Sequence, residues 1–252
     1  MLAPTQRFSS RVENYVRYRP GYPAGVIELL CRECGLAGHS VVADLGSGTG
    51  KLTELLLGTG CAVFGVEPNP EMRAAGERRL KAHARFTSVA APAEATTLAA
   101  RSVDLVTAGQ AFHWFDRERT RAEFRRILKP GGHVALIWND RRTDTTPFLA
   151  AYEQLLRDFA TDYAQVNHRN IDPARLREFF GAEPRLAKFP YVQPFDFAGL
   201  QGRLLSSSYA PDQGEPNHDA MLQGLQLIFD RHQHAGQVSF DYDTLVYHGR
   251  LA

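Results

Sequence analysis

The sequence is poor in cysteine, with three in 252 residues. That is too few for a disulfide framework and suits a reducing compartment. Cys31 and Cys34 form a C-x-x-C, but no second pair and no histidine at ligand spacing accompanies it. The pair lies in an apolar helical stretch, so buried structural thiols are expected and no metal site is. A run of about 18 uncharged apolar residues is missing, and the N-terminal MLAPTQRFSSRVENYVRYRP has no signal-peptide core. A cytoplasmic protein with no membrane partner is therefore expected. Charge of one sign is missing too: 29 basic residues stand against 28 acidic, a net charge of +1. Such a balance gives no reason to expect nucleic acid as a partner. There is no internal repeat and no low-complexity segment. What remains suits one large α/β domain or a domain with an insertion, and is silent on oligomeric state.

What is present centres on VVADLGSGTGKLTELLL, Val41 to Leu57. It reads as a buried strand (Val41 to Leu45), a turn with Gly46, Gly48 and Gly50, and a helix with Leu52, Leu55 and Leu56 on its apolar side. Glycines let the main chain turn tightly and approach a ligand, and the N–H groups of the first helical turn point at it. Further apolar strands are expected at 61–66, 85–89, 103–108 and 133–138, separated by helices over 69–81 and from Asp116 to the LKPGG segment, Leu128 to Gly132. A helix over Ala24 to Cys34 precedes them. This alternation predicts an α/β fold, a Rossmann-like doubly wound sheet that is mostly parallel, with its ligand beyond the carboxyl ends of the strands.

After Asp140 the pattern changes. Phe148, Tyr152, Leu155, Leu156, Phe159 and Tyr163 keep helical spacing, Asp172-Pro173 starts another helix, and Asn217 is expected to cap a third. Strands near 186–192 and 238–247 should close the edge as an antiparallel pair, giving seven strands plus a helical cap. Three regions follow: an arm and first helix (1–35), a ligand-binding core (36–140), and the cap with the last two strands (141–252). The arm segment FSSRVENYVRYRPGY, Phe8 to Tyr22, is read either as a solvated tail or as a lid whose Tyr15, Tyr18 and Arg19 cover a ligand.

Three ligands suit a glycine turn. A dinucleotide fingerprint needs a third glycine at position 51, which is Lys51, and Asp44 at the end of the first strand would repel a pyrophosphate. A phosphate-binding G-x-x-x-x-G-K-[ST] is absent. The carboxylate of Asp44 instead suits an ammonium or sulfonium, and Glu67, at the tip of the second strand, can accept hydrogen bonds from both hydroxyls of a ribose. Either acid, taken singly, also reads as a cap on a neighbouring turn. Together they point to a cationic nucleoside, and S-adenosylmethionine is the common cofactor of that description.

DLGSGTG (Asp44 to Gly50), GVEPN (Gly65 to Asn69), APAE (Ala91 to Glu94), DLVTAGQAFHWFD (Asp104 to Asp116) and LKPGG, in this order, resemble the successive motifs of class I S-adenosylmethionine-dependent methyltransferases. YRPGYP (Tyr18 to Pro23) and AFHWF (Ala111 to Phe115) are similar, more narrowly, to the small-molecule group that includes trans-aconitate methyltransferases. The resemblance implies that Asp44 and the backbone of Gly46, Ser47 and Gly48 hold the methionine part, and that Glu67 holds the ribose. It puts Pro68 and Met72 on one face of the adenine, Ala93 at its edge through the main chain, and Glu94 beside it. Pro92 stands where many relatives carry an acid. It places Gln110, Ala111, Phe112 and His113 next to the departing methyl group, Arg19 at the cofactor's carboxylate, and Tyr18 over it. For a small-molecule acceptor, with a carboxylate or hydroxyl oxygen favoured, the candidates are Tyr15, Trp114, Asn139, Arg141 and Arg169. His113 is read as either a base or a wall residue, and Arg141, Arg142 and Arg169 as either anion ligands or solvated surface. A nucleic-acid or protein methyltransferase and a non-catalytic S-adenosylmethionine-binding module are the alternatives. QAFH is not the Asn-Pro-Pro-aromatic type that grips a flipped base.

Overall fold

The computed structural model describes residues 12–161, 163 and 172–252. Positions 1–11 of the arm, and Arg169, lie outside the described residues.

The sheet holds seven strands: β1 (Val41–Leu45), β2 (Ala62–Val66), β3 (Phe86–Val89), β4 (Val103–Gly109), β5 (Leu128–Arg141), β6 (Arg185–Phe195) and β7 (Val238–Gly249). Their order is β3-β2-β1-β4-β5-β7-β6. The pairs among β1 to β5 are parallel, and β7 runs antiparallel between β5 and β6. The sheet thus has the mixed, doubly wound form that the alternation predicts. The direction of winding reverses at β1 and β4, which opens a crevice beyond their carboxyl ends.

Helices α1 (Val12–Tyr18) and α2 (Ala24–Cys34) precede β1. Then α3 (Lys51–Leu57), α4 (Pro70–Leu80) and α5 (Arg117–Ile127) cross between the parallel strands. Val26, Leu29 and Leu30 of α2 join Leu52 and Leu56 of α3 in one core against Val42, Val63 and Leu105. On the other face Phe124 and Ile127 of α5 meet Leu176, Phe179 and Phe180 of a helix that follows α6 (Pro147–Phe159), namely α7 (Pro173–Phe180). A third core is the cap: Phe148, Tyr152 and Leu156 of α6, Leu200 and Leu204 of α8 (Phe197–Leu205), and Leu225 of α9 (His218–His232) close over Phe240 and Tyr242 of β7.

Local chemistry sets the helix starts. Asn69, Asp116, Thr146, Asp172 and Asp196 each accept a hydrogen bond from a first-turn N–H, satisfying a donor that has no helical partner.

Three expectations need correction. Asn217 does not cap α9 through its side chain; it takes a left-handed conformation (φ 71°) and turns the chain instead, as asparagine tolerates. β5 begins at Leu128, five residues before the expected start, because Leu128 pairs with Val103 before the register shifts and His133 meets Leu105. Lys129, in that bulge, reaches both oxygens of Asp104 at 2.9 Å. Cys34 and Cys61 are buried, but Cys31 is exposed: it lies outside the apolar stripe of α2. Among the described residues no cluster of three or more His, Cys, Asp or Glu could hold a metal ion. No helix there is long and apolar enough to cross a membrane.

Candidate active site

The crevice at β1 and β4 holds two lobes of about 130 and about 160 Å³. They share Tyr15, Gly46, Gly48, Gly109, Gln110 and Trp114 as common wall. The glycine turn forms the floor because Gly46, Gly48 and Gly50 all take positive φ, at 65°, 56° and 80°. A side chain there would be strained, and a Cβ on Gly46 would sit 2.5 Å from that of Ala111. Beyond β4 the chain turns through Gln110, a non-glycine residue at φ 57°. Its backbone N–H bonds to Ile137 and its side chain donates to the Asn139 carbonyl. Strain of this kind persists only where the surroundings hold it in place.

The first lobe has Asp44 at its base. Its two oxygens accept from Thr53 Oγ1 at 2.6 Å and Thr107 Oγ1 at 2.9 Å. Burial raises its carboxyl to about 6, against those hydrogen bonds and with a smaller push from Glu67. Arg19 closes the lobe from the arm. It is half-buried, donates through Nη2 to the Ser206 carbonyl at 3.0 Å, and its Nε has no hydrogen-bond partner among the described residues. Lys51, the residue that breaks the dinucleotide fingerprint, donates from Nζ to the Arg19 carbonyl at 2.8 Å. It thereby ties the arm to the start of α3. Burial, with Arg79 and Arg19 as further like charges, lowers its ammonium to about 8.

In the second lobe Glu67 accepts from the Gly48 N–H on one oxygen and the Asn69 N–H on the other, both at 2.9 Å. Each oxygen keeps a lone pair for a further donor. Pro68, Met72, Ala93, Glu94 and Ala111 complete the wall, with Pro92 and Phe115.

The structure brings most of the expected site residues together. Ser47, His113, Asn139 and Arg141 also line the first lobe. Asn139 is engaged at both side-chain polar atoms, donating to the Gly21 carbonyl and accepting from Thr244. Arg141 is paired with Glu153 at 2.6 Å and stacks 5.0 Å from the Tyr152 ring centre. His113 packs on Trp114, with ring centres 4.7 Å apart.

Three expected residues, Tyr18, Phe112 and Arg142, line neither lobe. Tyr18 packs into the cap core over Gly202, where an added Cβ would lie 2.0 Å from its ring. Phe112 points into the sheet core, 4.6 Å from the Phe179 ring and 6.2 Å from that of Trp138. Arg142 pairs with Asp243 at 2.7 Å. Sequence reasoning missed Tyr22, Tyr163, Arg203, Tyr209 and Tyr242, which also line the first lobe. Arg203 had a signal: it is the one charge in the apolar stretch FAGLQGRLL.

A buried acid at β1, an acid at the tip of β2 and a glycine floor at the switch point of this seven-stranded sheet define the class I S-adenosylmethionine-dependent methyltransferases. The pieces suit that cofactor: the unpartnered Arg19 Nε fits its carboxylate, and Asp44 fits its ammonium. The chain belongs to the methyltransferase family. A family model described as a methyltransferase domain matches residues 43–136. An uncharacterised methyltransferase of Schizosaccharomyces pombe is 35% identical over 247 residues, 95% of each chain. A methyltransferase-like protein of the same yeast is 28% identical over 250 residues, 95% of this chain and 93% of that one. Among solved structures, a candidate type II methyltransferase from Anaeromyxobacter dehalogenans shares the fold with a TM-score of 0.67 at 23% identity, over 93% of this chain and 98% of that one. The protein is therefore an enzyme, a methyltransferase dependent on S-adenosylmethionine.

Proposed function

We propose that the enzyme methylates a small molecule, at a carboxylate or hydroxyl oxygen, in the manner of the group that includes trans-aconitate methyltransferases. The observation that carries this reading is the partly enclosed first lobe. The arm, the cap and β4 wall it in, and its volume of about 130 Å³ suits a metabolite and not a polymer. The net charge of +1 supports the same choice, since nucleic-acid partners ask for a basic face. The free cysteines support a cytoplasmic setting.

In this reading the second lobe takes the adenosine. Glu67 receives the ribose hydroxyls, Pro68 and Met72 lie along the adenine, and the main chain at Ala93 meets its edge. Glu94 already accepts from the Asp116 N–H at 2.8 Å, which keeps that loop in place. Asp44, the glycine floor and Arg19 receive the zwitterionic methionine end. When bound, the cofactor supplies an electrophilic methyl group on a sulfonium. The chain's own residues align the acceptor and exclude water, which is where most of the rate comes from in such a displacement, about 7 to 11 kcal/mol of the barrier. Tyr15 and Trp114, common to both lobes, form the wall at the point of transfer. A carboxylate acceptor needs no base. For a hydroxyl, His113 is the nearest candidate, and its packing on Trp114 suits a wall role equally.

Calorimetry with S-adenosylhomocysteine tests the cofactor assignment. The wild type should bind, and Glu67→Ala should weaken binding by about 10- to 100-fold, as expected for hydrogen bonds to a charged acceptor. No heat from the wild type, or unchanged affinity in the variant, would sink the assignment.

A further inference from the structure

The first lobe is bordered by three guanidiniums, those of half-buried Arg19 and of buried Arg141 and Arg203. Arg141 has its counter-ion in Glu153. Arg19 has no carboxylate partner among the described residues, and it lines the same lobe as Asp44 and the glycine turn, where the proposed reading seats the cofactor's methionine end. Arg203, on α8, is left over. It is 5% exposed and its partners among the described residues are all neutral: Tyr242 Oη at 3.4 Å from Nε, Ser207 Oγ at 3.1 Å from Nη1, and the Phe240 ring with its centre 5.8 Å away. A guanidinium cannot shed its proton, and a buried cation without a counter-ion is strongly unfavourable unless a ligand provides one.

We propose that Arg203, with Ser207 and the phenols of Tyr209 and Tyr242, is a seat for a carboxylate carried by the methyl acceptor. The proposal rests on reading the first lobe as the acceptor site. The planar fork of arginine presents two parallel donors matched to a carboxylate's two oxygens, and the nearby phenols can donate to whatever lone pairs remain. The field there is positive as well: burial pushes the Tyr209 phenol up, yet Arg203, Arg19 and Arg141 together bring it below its ordinary value. Once the cofactor's ammonium faces Asp44 and its carboxylate faces Arg19, the sulfonium and Arg203 both remain uncompensated. An anionic acceptor balances them, whereas a neutral one leaves two positive charges in a partly enclosed lobe.

The test is calorimetry on protein loaded with S-adenosylhomocysteine, using matched pairs: succinate against succinamide, glutarate against glutaramide, benzoate against benzamide, with sulfate and phosphate as further anions. At least one carboxylate should bind the wild type about tenfold or more tightly than its amide. Arg203→Gln should abolish that preference and Arg203→Lys should retain part of it, with S-adenosylhomocysteine affinity unchanged in both. Equal binding of acids and amides to the wild type would overturn the proposal, and so would a preference that survives Arg203→Gln. Tighter binding of sulfate or phosphate than of every carboxylate would refute the ligand class. A tenfold loss of S-adenosylhomocysteine affinity in Arg203→Gln would assign the residue to the cofactor and overturn the proposal. Equal binding of acids and amides to the wild type overturns the proposal even where Arg203→Gln fails to fold, and partial loss of the preference in Arg203→Lys alone would then support it. Failure of the wild type to bind S-adenosylhomocysteine would instead remove the cofactor reading, and this proposal with it.

Discussion

Replacing Asp44 with asparagine should stabilise the ligand-free enzyme at neutral pH while costing it the cofactor. Asp44 is 1% exposed, and burial lifts its carboxyl from 3.8 to about 6. The folded state therefore binds this proton more tightly than the unfolded chain does. Below 3.8 both states are protonated and nothing is lost; as pH rises through about 6 the fold must carry a buried anion, and stability falls. A rise of that size corresponds to about 3 kcal/mol above neutrality, at about 1.4 kcal/mol per pH unit. Asparagine avoids it but serves the hydroxyls of Thr53 and Thr107 less well, at about 1 kcal/mol. The expected net gain is about 2 kcal/mol at about pH 7.5. At about pH 5 the wild-type carboxyl is mostly protonated in the fold, so the advantage should shrink by about 1.4 kcal/mol. Urea unfolding of both proteins at the two pH values, with equal m-values, measures this difference. The same ΔΔG at both pH values, or a variant less stable than wild type at the higher one, would refute the reasoning. Affinity for S-adenosylhomocysteine should meanwhile fall about tenfold or more in Asp44→Asn, since an ammonium loses a charged partner.

The arm and His113 each allow a direct check. Gly202→Ala would place a Cβ 2.0 Å from the Tyr18 ring, so α1 should lift from α8 at a cost of about 1 to 3 kcal/mol. Limited proteolysis should then cut within Tyr15 to Tyr22 faster than in the wild type, and bound S-adenosylhomocysteine should slow the cut in both; cleavage indifferent to the substitution and to the ligand would remove the lid. For His113, methyl-transfer rates of His113→Gln across pH decide the role. Loss of an ionisation near neutrality supports a base, and an unaltered profile leaves only the wall.

The two lobes differ in how far they could be read from the sequence, and the reason is physical. The cofactor side of the crevice, which takes in the second lobe and the base of the first, is built from strand ends and main chain. Asp44 and Glu67 fall at the tips of β1 and β2 because strand period and glycine punctuation fix where those strands stop, and the helix over Ala24–Cys34 has the bounds that its apolar pattern and Gly35 set. Tyr18 and Phe112 misled because an aromatic beside a motif serves a core as readily as a ligand; which of the two it serves depends on Gly202 in one case and Phe179 in the other, both remote in sequence.

The first lobe draws side chains from α1, β5, α8 and β7, and on the proposed reading its meaning lies in a balance of charge. Arg141 and Arg203 are the same residue type, both buried and both stacked on Phe240. They differ because Glu153, on α6, answers one of them and no described carboxylate answers the other. That distinction exists only after α6 and α8 have packed against β7. On the proposed reading it also separates two functions of the fold: a change of counter-ion around Arg203 would alter what the enzyme methylates, while Asp44, Glu67 and the glycine floor, anchored by Thr53, Thr107 and the backbone of Gly48 and Asn69, would stay as they are.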